Sequence, residues 1–155
     1  MCGLLGMPLQ QALKTGMTRR KKLKKPSELL NLYSEKLNLG LEKKLSPLAF
    51  ELTFHHRSLH IAHISGYVMF RTRLMLEFDE IIIQERNHIN KLKYRYHAMD
   101  KDKKLIFRHD NVPHFPKIKT HPHHKHTRYR VTESQSPGLL EVIDEVETLI
   151  IKEKH

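Results

Sequence analysis

The sequence predicts an α+β fold: an antiparallel β-sheet meander of four to six strands, with an N-terminal helix and a C-terminal helix packed on one sheet face. Three observations carry this. Apolar and polar residues alternate over successive short segments from Leu48 onwards, the period of strands with one buried face. The segments are joined by connections too short for crossover helices, which excludes a parallel sheet. The period of an amphipathic helix occurs convincingly only towards the two ends of the chain.

Taken in order, Ser27 is placed to cap a helix whose Leu30, Tyr33, Leu37, Leu41 and Leu45 recur at steps of three and four. Gly40 weakens its middle, and Ser46 and Pro47 end it. Leu48, Phe50, Leu52 and Phe54 then alternate with Ala49, Glu51, Thr53 and His55 as a first strand. Strands over Ile64 to Phe70 and Leu74 to Ile83 flank a turn at Arg71 to Arg73. Strands over Leu92 to Met99 and Leu105 to Asp110 flank a charged Asp-Lys-Asp-Lys turn. Pro113, Pro116 and Pro122 forbid a central strand and make 111–130 a loop. Finally Ser136 as cap, Pro137 in the first turn, and Leu139, Leu140, Val142, Ile143, Val146, Leu149 and Ile150 describe an amphipathic helix that covers one face of the sheet.

The chain has 155 residues, the size of one domain, expected over 27–155 behind a flexible basic arm at 1–26. In that arm six of the seven residues from Arg19 to Lys25 are basic, and like charges so close resist compact packing. Translation from Met17 is the other reading of this segment. Lys and Arg number 28 against 17 Asp and Glu, a net charge of +11; that balance favours a polyanionic partner, nucleic acid before others. No run approaches the ~20 apolar residues of a membrane helix. Cys2 stands alone, so no internal disulfide forms and a reducing, cytoplasmic location is expected. Whether the chain forms a homodimer is left open.

Thirteen histidines are several times the usual allotment. In the hairpin from Lys93 to Asp110, an even loop centred on Asp102 and Lys103 puts Arg95, His97 and Met99 on one sheet face with Ile106, Arg108 and Asp110. Tyr94, Tyr96, Ala98, Leu105, Phe107 and His109 share the other, core face. His97 then sits opposite Arg108, whose fixed charge keeps the imidazole neutral and able to act as a base. Immediately downstream, His114, His121, His123, His124 and His126, with Lys125 among them, crowd one short loop. Three chemistries compete for this inventory: metal binding, acid–base cleavage of RNA, and simple phosphate contact. Metal ligation usually recruits a carboxylate or thiolate, and the only nearby acid is Asp110. Cleavage needs only a base for the ribose 2′-hydroxyl, an acid for the leaving 5′-oxygen and cations for the phosphorus, so a metal-independent ribonuclease without cofactor is preferred. A non-enzymatic nucleic-acid or ribosome binder and a metal-dependent hydrolase are the alternatives.

The stretch YRYHAMDKDKKLIFRHDNVPHFP from Tyr94 to Pro116, the PHHKH of Pro122 to His126, and Val131, Glu133, Ser134 and LLEVIDEV of Leu139 to Val146 resemble the TumE family of toxins from prokaryotic toxin–antitoxin pairs. The resemblance is strong over 91–147 and extends more weakly back to about Ser46, through Gly66-Tyr67-Val68 and Leu74 to Phe78. It implies a growth-inhibiting protein neutralised by a helix-turn-helix antitoxin of the TumA type. Carried over by position, the motif residues fall on His97, Arg108, Asp110, Asn111, His114, His123, His124, Lys125 and His126. Lys103 departs from the Gly usual in that turn, as do Arg71 to Arg73 from a turn of Asp and Gly. Catalysis is expected from His97, Arg108, His114, His124, Lys125 and His126, with no metal. RNA contacts are expected from Arg95, Asn111, Lys117, Lys119, His123 and Arg128. The antitoxin is expected to mask the face bearing Arg95, His97 and Arg108; docking on the acidic strip Glu141, Asp144, Glu145 and Glu147 is the alternative.

Overall fold

The computed structural model describes residues 27–44 and 47–152; the expected basic arm, and Leu45 and Ser46, lie outside the described residues. Helix α1 (Glu28–Glu42) leads into strands β1 (Pro47–His56), β2 (Ile61–Phe70), β3 (Met75–Glu85), β4 (His88–Met99), β5 (Leu105–Asp110), β6 (His124–Thr127) and β7 (Val131–Glu133), and α2 (Leu139–Lys152) follows. The strands form one sheet in sequence order, each antiparallel to the last. The α+β meander with a helix at each end is therefore as expected, with seven strands rather than four to six.

The extra strands correct the expected loop at 111–130. Its prolines end at Pro122, and β6 begins two residues later. The alternation in β6 is carried by His, Lys and Thr rather than by apolar residues, so hydrophobic periodicity does not register it. Pairing with β5 stabilises it instead.

Both helices lie on the sheet face formed by Ala62, Ile64, Val68, Leu76, Phe78, Ile82, Tyr94, Tyr96 and Phe107, which are buried with Leu30, Leu37 and Leu41 of α1 and Leu139, Val142, Ile143, Val146 and Ile150 of α2. Ser27 caps α1, its Oγ accepting from Leu29 N at 3.1 Å and Leu30 N at 3.4 Å. Gly40, unfavourable for the helix on its own, has a packing reason: a Cβ there would lie 2.5 Å from Leu140 Cδ1, so glycine lets the helices approach. The expected cap of α2 moves by two residues. Gly138 O accepts the bond from Val142 N, Glu141 Oε2 accepts from Gly138 N at 2.8 Å, and the Pro137 carbonyl is taken by the Lys91 ammonium.

The β4–β5 hairpin keeps the expected register, His97 opposite Arg108 and Arg95 opposite Asp110, up to a bulge beyond Ala98. Its loop is longer than the two residues of a tight turn. Lys103 adopts φ 60°, the left-handed conformation that suits glycine. Asp100 Oδ1 accepts from Asp102 N at 2.8 Å and Lys104 N at 2.9 Å, holding the loop; the Lys104 and Asp102 amides keep the Asp100 carboxyl below its ordinary range. Arg73 and Arg86, in the two preceding hairpin turns, are also left-handed at φ 63° and 55°.

Candidate functional site

Strand parity and register arrange two rows of side chains across the sheet face away from the helices. One runs Glu77, His97, Arg108, His126 and Val131; the other runs Asp79, Arg95, Asp110, His124 and Glu133. Adjacent members of a row lie on neighbouring strands, about 5 Å apart at the backbone. The centre of this face is a knot of Arg108, Asp110, His124 and His126, with His114 reaching back onto it from the loop.

Asp110 and His124 are 2% and 1% exposed, so every polar atom they carry needs a partner. Asp110 Oδ2 accepts from Arg108 Nε at 2.8 Å and Oδ1 from Val112 N at 3.2 Å. His124 Nδ1 faces the Pro122 carbonyl at 2.9 Å; a carbonyl only accepts, so Nδ1 carries a proton. His124 Nε2 lies 3.0 Å from Asp110 Oδ1 and 3.0 Å from His126 Nε2. Arg108 Nη2 lies 2.9 Å from His126 Nε2. Guanidinium has no acceptor, so it donates and His126 Nε2 is the unprotonated nitrogen. The His114 ring centroid sits 4.8 Å from that of His124 and 5.8 Å from that of His126. Phe115 packs edge-on to His124 and His126 at 5.0 and 5.5 Å, closing the knot on its loop side.

Burial, reinforced by the Arg95 charge and then by Arg108, holds the His97 imidazole below its ordinary pKa, with Glu77 opposing. Burial and then Arg108 lower His126 likewise, opposed by Asp110. Arg108 keeps its side chain 31% exposed, with donors left over for an anion. Beside it a cleft of about 380 Å³ is lined by Asp79, Lys93, Tyr94, Arg95, Arg108, Asp110 and Val112.

The structure thus gathers His97, Arg108, His114, His124 and His126 on one face, with Arg95 at the cleft. It does not bring Lys125 there. Parity sends Lys125 to the helix side, where its ammonium pairs with Glu145 and lies 4.8 Å above the Phe107 ring. His123 also leaves the face: its Nδ1 is 3.0 Å from Tyr94 Oη, and its ring stacks on Tyr94 at 5.8 Å. Asn111 clamps strands, accepting from Tyr94 N at 3.0 Å and donating to Leu92 O at 3.1 Å. Lys117 and Lys119 are exposed on the loop, and Arg128 sits 3.9 Å from Asp100 near the β6–β7 turn, away from the knot.

Sequence reasoning left Asp110 out of the chemistry, although its position two residues after Arg108 puts both on one face. It also missed two polar networks under the helices. Glu80, fully buried, accepts from Tyr96 Oη at 2.6 Å and Tyr33 Oη at 2.9 Å. His109 bridges Ser134 Oγ and Glu145 Oε2, each at 2.9 Å. Only Glu80's place in the alternation Leu76, Phe78, Ile82 hinted at the first.

The fold is a small α+β meander whose uncovered face concentrates guanidinium, imidazole and one buried carboxylate, groups that suit polar rather than apolar ligands. A model of the toxin TumE family matches residues 40–154, well over half of the chain, and the chain belongs to that family. It is therefore the toxin component of a toxin–antitoxin pair, with an antitoxin as partner. No curated protein and no solved structure matches the chain. Among the described residues, no helix is long and apolar enough to cross a membrane.

Proposed function

We propose that this toxin cleaves RNA at the uncovered sheet face by metal-independent acid–base chemistry. The observation that carries the reading is the row His97, Arg108, His126: a guanidinium flanked on neighbouring strands by two imidazoles. In-line displacement at phosphorus puts the entering 2′-oxygen and the departing 5′-oxygen on opposite sides, so a phosphate held by Arg108 has an imidazole on each. His97 is held neutral by burial and by its cationic neighbours, the state a base requires. It takes the 2′-hydroxyl proton, the oxygen attacks the adjacent phosphorus, and the P–O5′ bond breaks. The products are a 2′,3′-cyclic phosphate and a 5′-hydroxyl. The bound phosphate's own charge favours a proton on His126, which passes to the 5′-oxygen. Asp110 and His124 position Arg108 and His126, and Arg108 stabilises the charge on the equatorial oxygens. Arg95, Lys93 and the exposed Lys117 and Lys119 extend the cationic track along the RNA backbone. The antitoxin, on this reading, covers the same face.

Incubating the purified full chain with total RNA in EDTA tests this. Cleavage leaving cyclic phosphate ends is expected; RNA bound but intact makes the protein an occluding binder, and cleavage abolished by EDTA makes it a metal-dependent hydrolase.

A further inference from the structure

The knot behind Arg108 holds an electrostatic conflict that points to a second ligand. His124 spends its Nδ1 proton on the Pro122 carbonyl, and Arg108 donates to His126 Nε2. His124 Nε2 lies 3.0 Å from both His126 Nε2 and Asp110 Oδ1, so wherever that nitrogen carries no proton the three atoms meet as lone pairs. His126 Nε2 lies 3.5 Å from the other carboxylate oxygen, Oδ2. Acceptors so close in a buried place repel unless a proton or a metal cation lies among them. The edges of a tetrahedron of nitrogen and oxygen ligands at about 2.0–2.2 Å from an ion are about 3.3–3.6 Å, close to these spacings. His114 brings a fourth ligand atom; one from each of the four residues lies within 4.8 Å of all the others.

We infer that Asp110, His114, His124 and His126 form a binding site for one divalent transition-metal ion of the Zn²⁺ class. Three imidazoles and a carboxylate suit zinc, cobalt or nickel rather than magnesium or calcium. The supporting shell is in place: the Pro122 carbonyl fixes the His124 tautomer with Nε2 inward, Arg108 Nε holds Asp110 Oδ2, and Oδ1, which accepts from Val112 N through one lone pair, has its second for the ion. Arg108 releases His126 when the ion takes that lone pair. The same lone pair is the one His126 uses in proton transfer, so occupancy blocks cleavage. This inhibitory consequence rests on the ribonuclease reading; the binding does not.

Titrating the metal-free full chain with Co²⁺ reads the site directly through its visible d–d bands. One equivalent with the intense bands of four-coordinate Co²⁺, displaced by Zn²⁺, is expected. Outer-shell partners alone are commonly worth about 10–100-fold in metal affinity, so His114→Ala and His126→Ala should each weaken binding by about tenfold or more. His114 is exposed, which keeps its variant folded even if His124→Ala is not. His60→Ala, at a remote exposed histidine, should change nothing. No four-coordinate spectrum, or one indifferent to His114→Ala and His126→Ala, overturns the site and assigns the His124–Asp110 contact to a proton. In parallel RNA digests, Zn²⁺ should stop the cleavage seen in EDTA. Cleavage unaffected by bound Zn²⁺ overturns the inhibitory consequence, and cleavage that requires Zn²⁺ overturns the metal-independent ribonuclease while leaving the site standing.

Discussion

The two faces of strands β4 to β6 use nearly the same vocabulary of Tyr, His, Lys, Arg, Asp and Glu to different ends. Beneath the helices the acidic groups have complementary partners: Glu80 accepts two phenols, and Glu145 faces both His109 and Lys125, which hold its carboxyl below the usual range against the opposing effect of burial. The Tyr33 and Tyr96 phenols are correspondingly pushed far above theirs by burial and by Glu80, so they remain donors. On the uncovered face Asp110, His124 and His126 crowd behind one guanidinium, three of whose donors stay unspent among the described residues. A satisfied network beneath helices specifies a fold; a half-exposed guanidinium beside a cleft has donors to offer an anion.

Substitutions on either side should therefore separate activity from stability. The largest effect is expected on the uncovered face, where His97→Ala should lower RNA cleavage by about 10² to 10⁴ with an unchanged urea midpoint, and should relieve toxicity. Cleavage rates and denaturation curves on one preparation check this. Next, Tyr96→Phe strips one donor from buried Glu80 and should cost about 1–3 kcal/mol while the folded fraction cleaves RNA normally. A third, smaller effect concerns acid. His97, His123 and His126 titrate below the ordinary value in the folded chain, so the unfolded state binds more protons as pH falls past about 6.5. Stability should be intact above that pH and decline below it until the folded-state values are passed, as urea midpoints at about pH 8 and about pH 5 would show. Arg95→Ala should raise the His97 titration midpoint followed by NMR. The smallest effect belongs to neither face: Lys103→Gly relieves a left-handed residue and should stabilise by up to about 1 kcal/mol, net of glycine's entropy.

How far the sequence speaks follows the same division. Two-residue alternation placed β1 to β5, and a turn centred on Asp102 and Lys103 put His97 opposite Arg108; the loop is longer than that turn, but the register holds below the bulge beyond Ala98. That parity also identifies the uncovered face of the hairpin. It failed at β6, whose strand is written in His, Lys and Thr, and so could not say that Lys125 turns away from His124 and His126 towards Glu145. Nor could it show Asp110 meeting His124, since that contact depends on β6 pairing with β5. Glu80 was illegible for another reason: its partners Tyr33 and Tyr96 lie 47 and 16 residues away, and only packing brings them together.

The central claim, that the uncovered face carries the toxin's chemistry and the covered face its stability, is tested most directly by assaying RNA cleavage in EDTA for Arg108→Ala and Tyr96→Phe at matched folded fraction. The account predicts that Arg108→Ala abolishes the cyclic phosphate ends and Tyr96→Phe leaves them at wild-type yield. Undiminished cleavage by Arg108→Ala, or loss of cleavage confined to Tyr96→Phe, would contradict it.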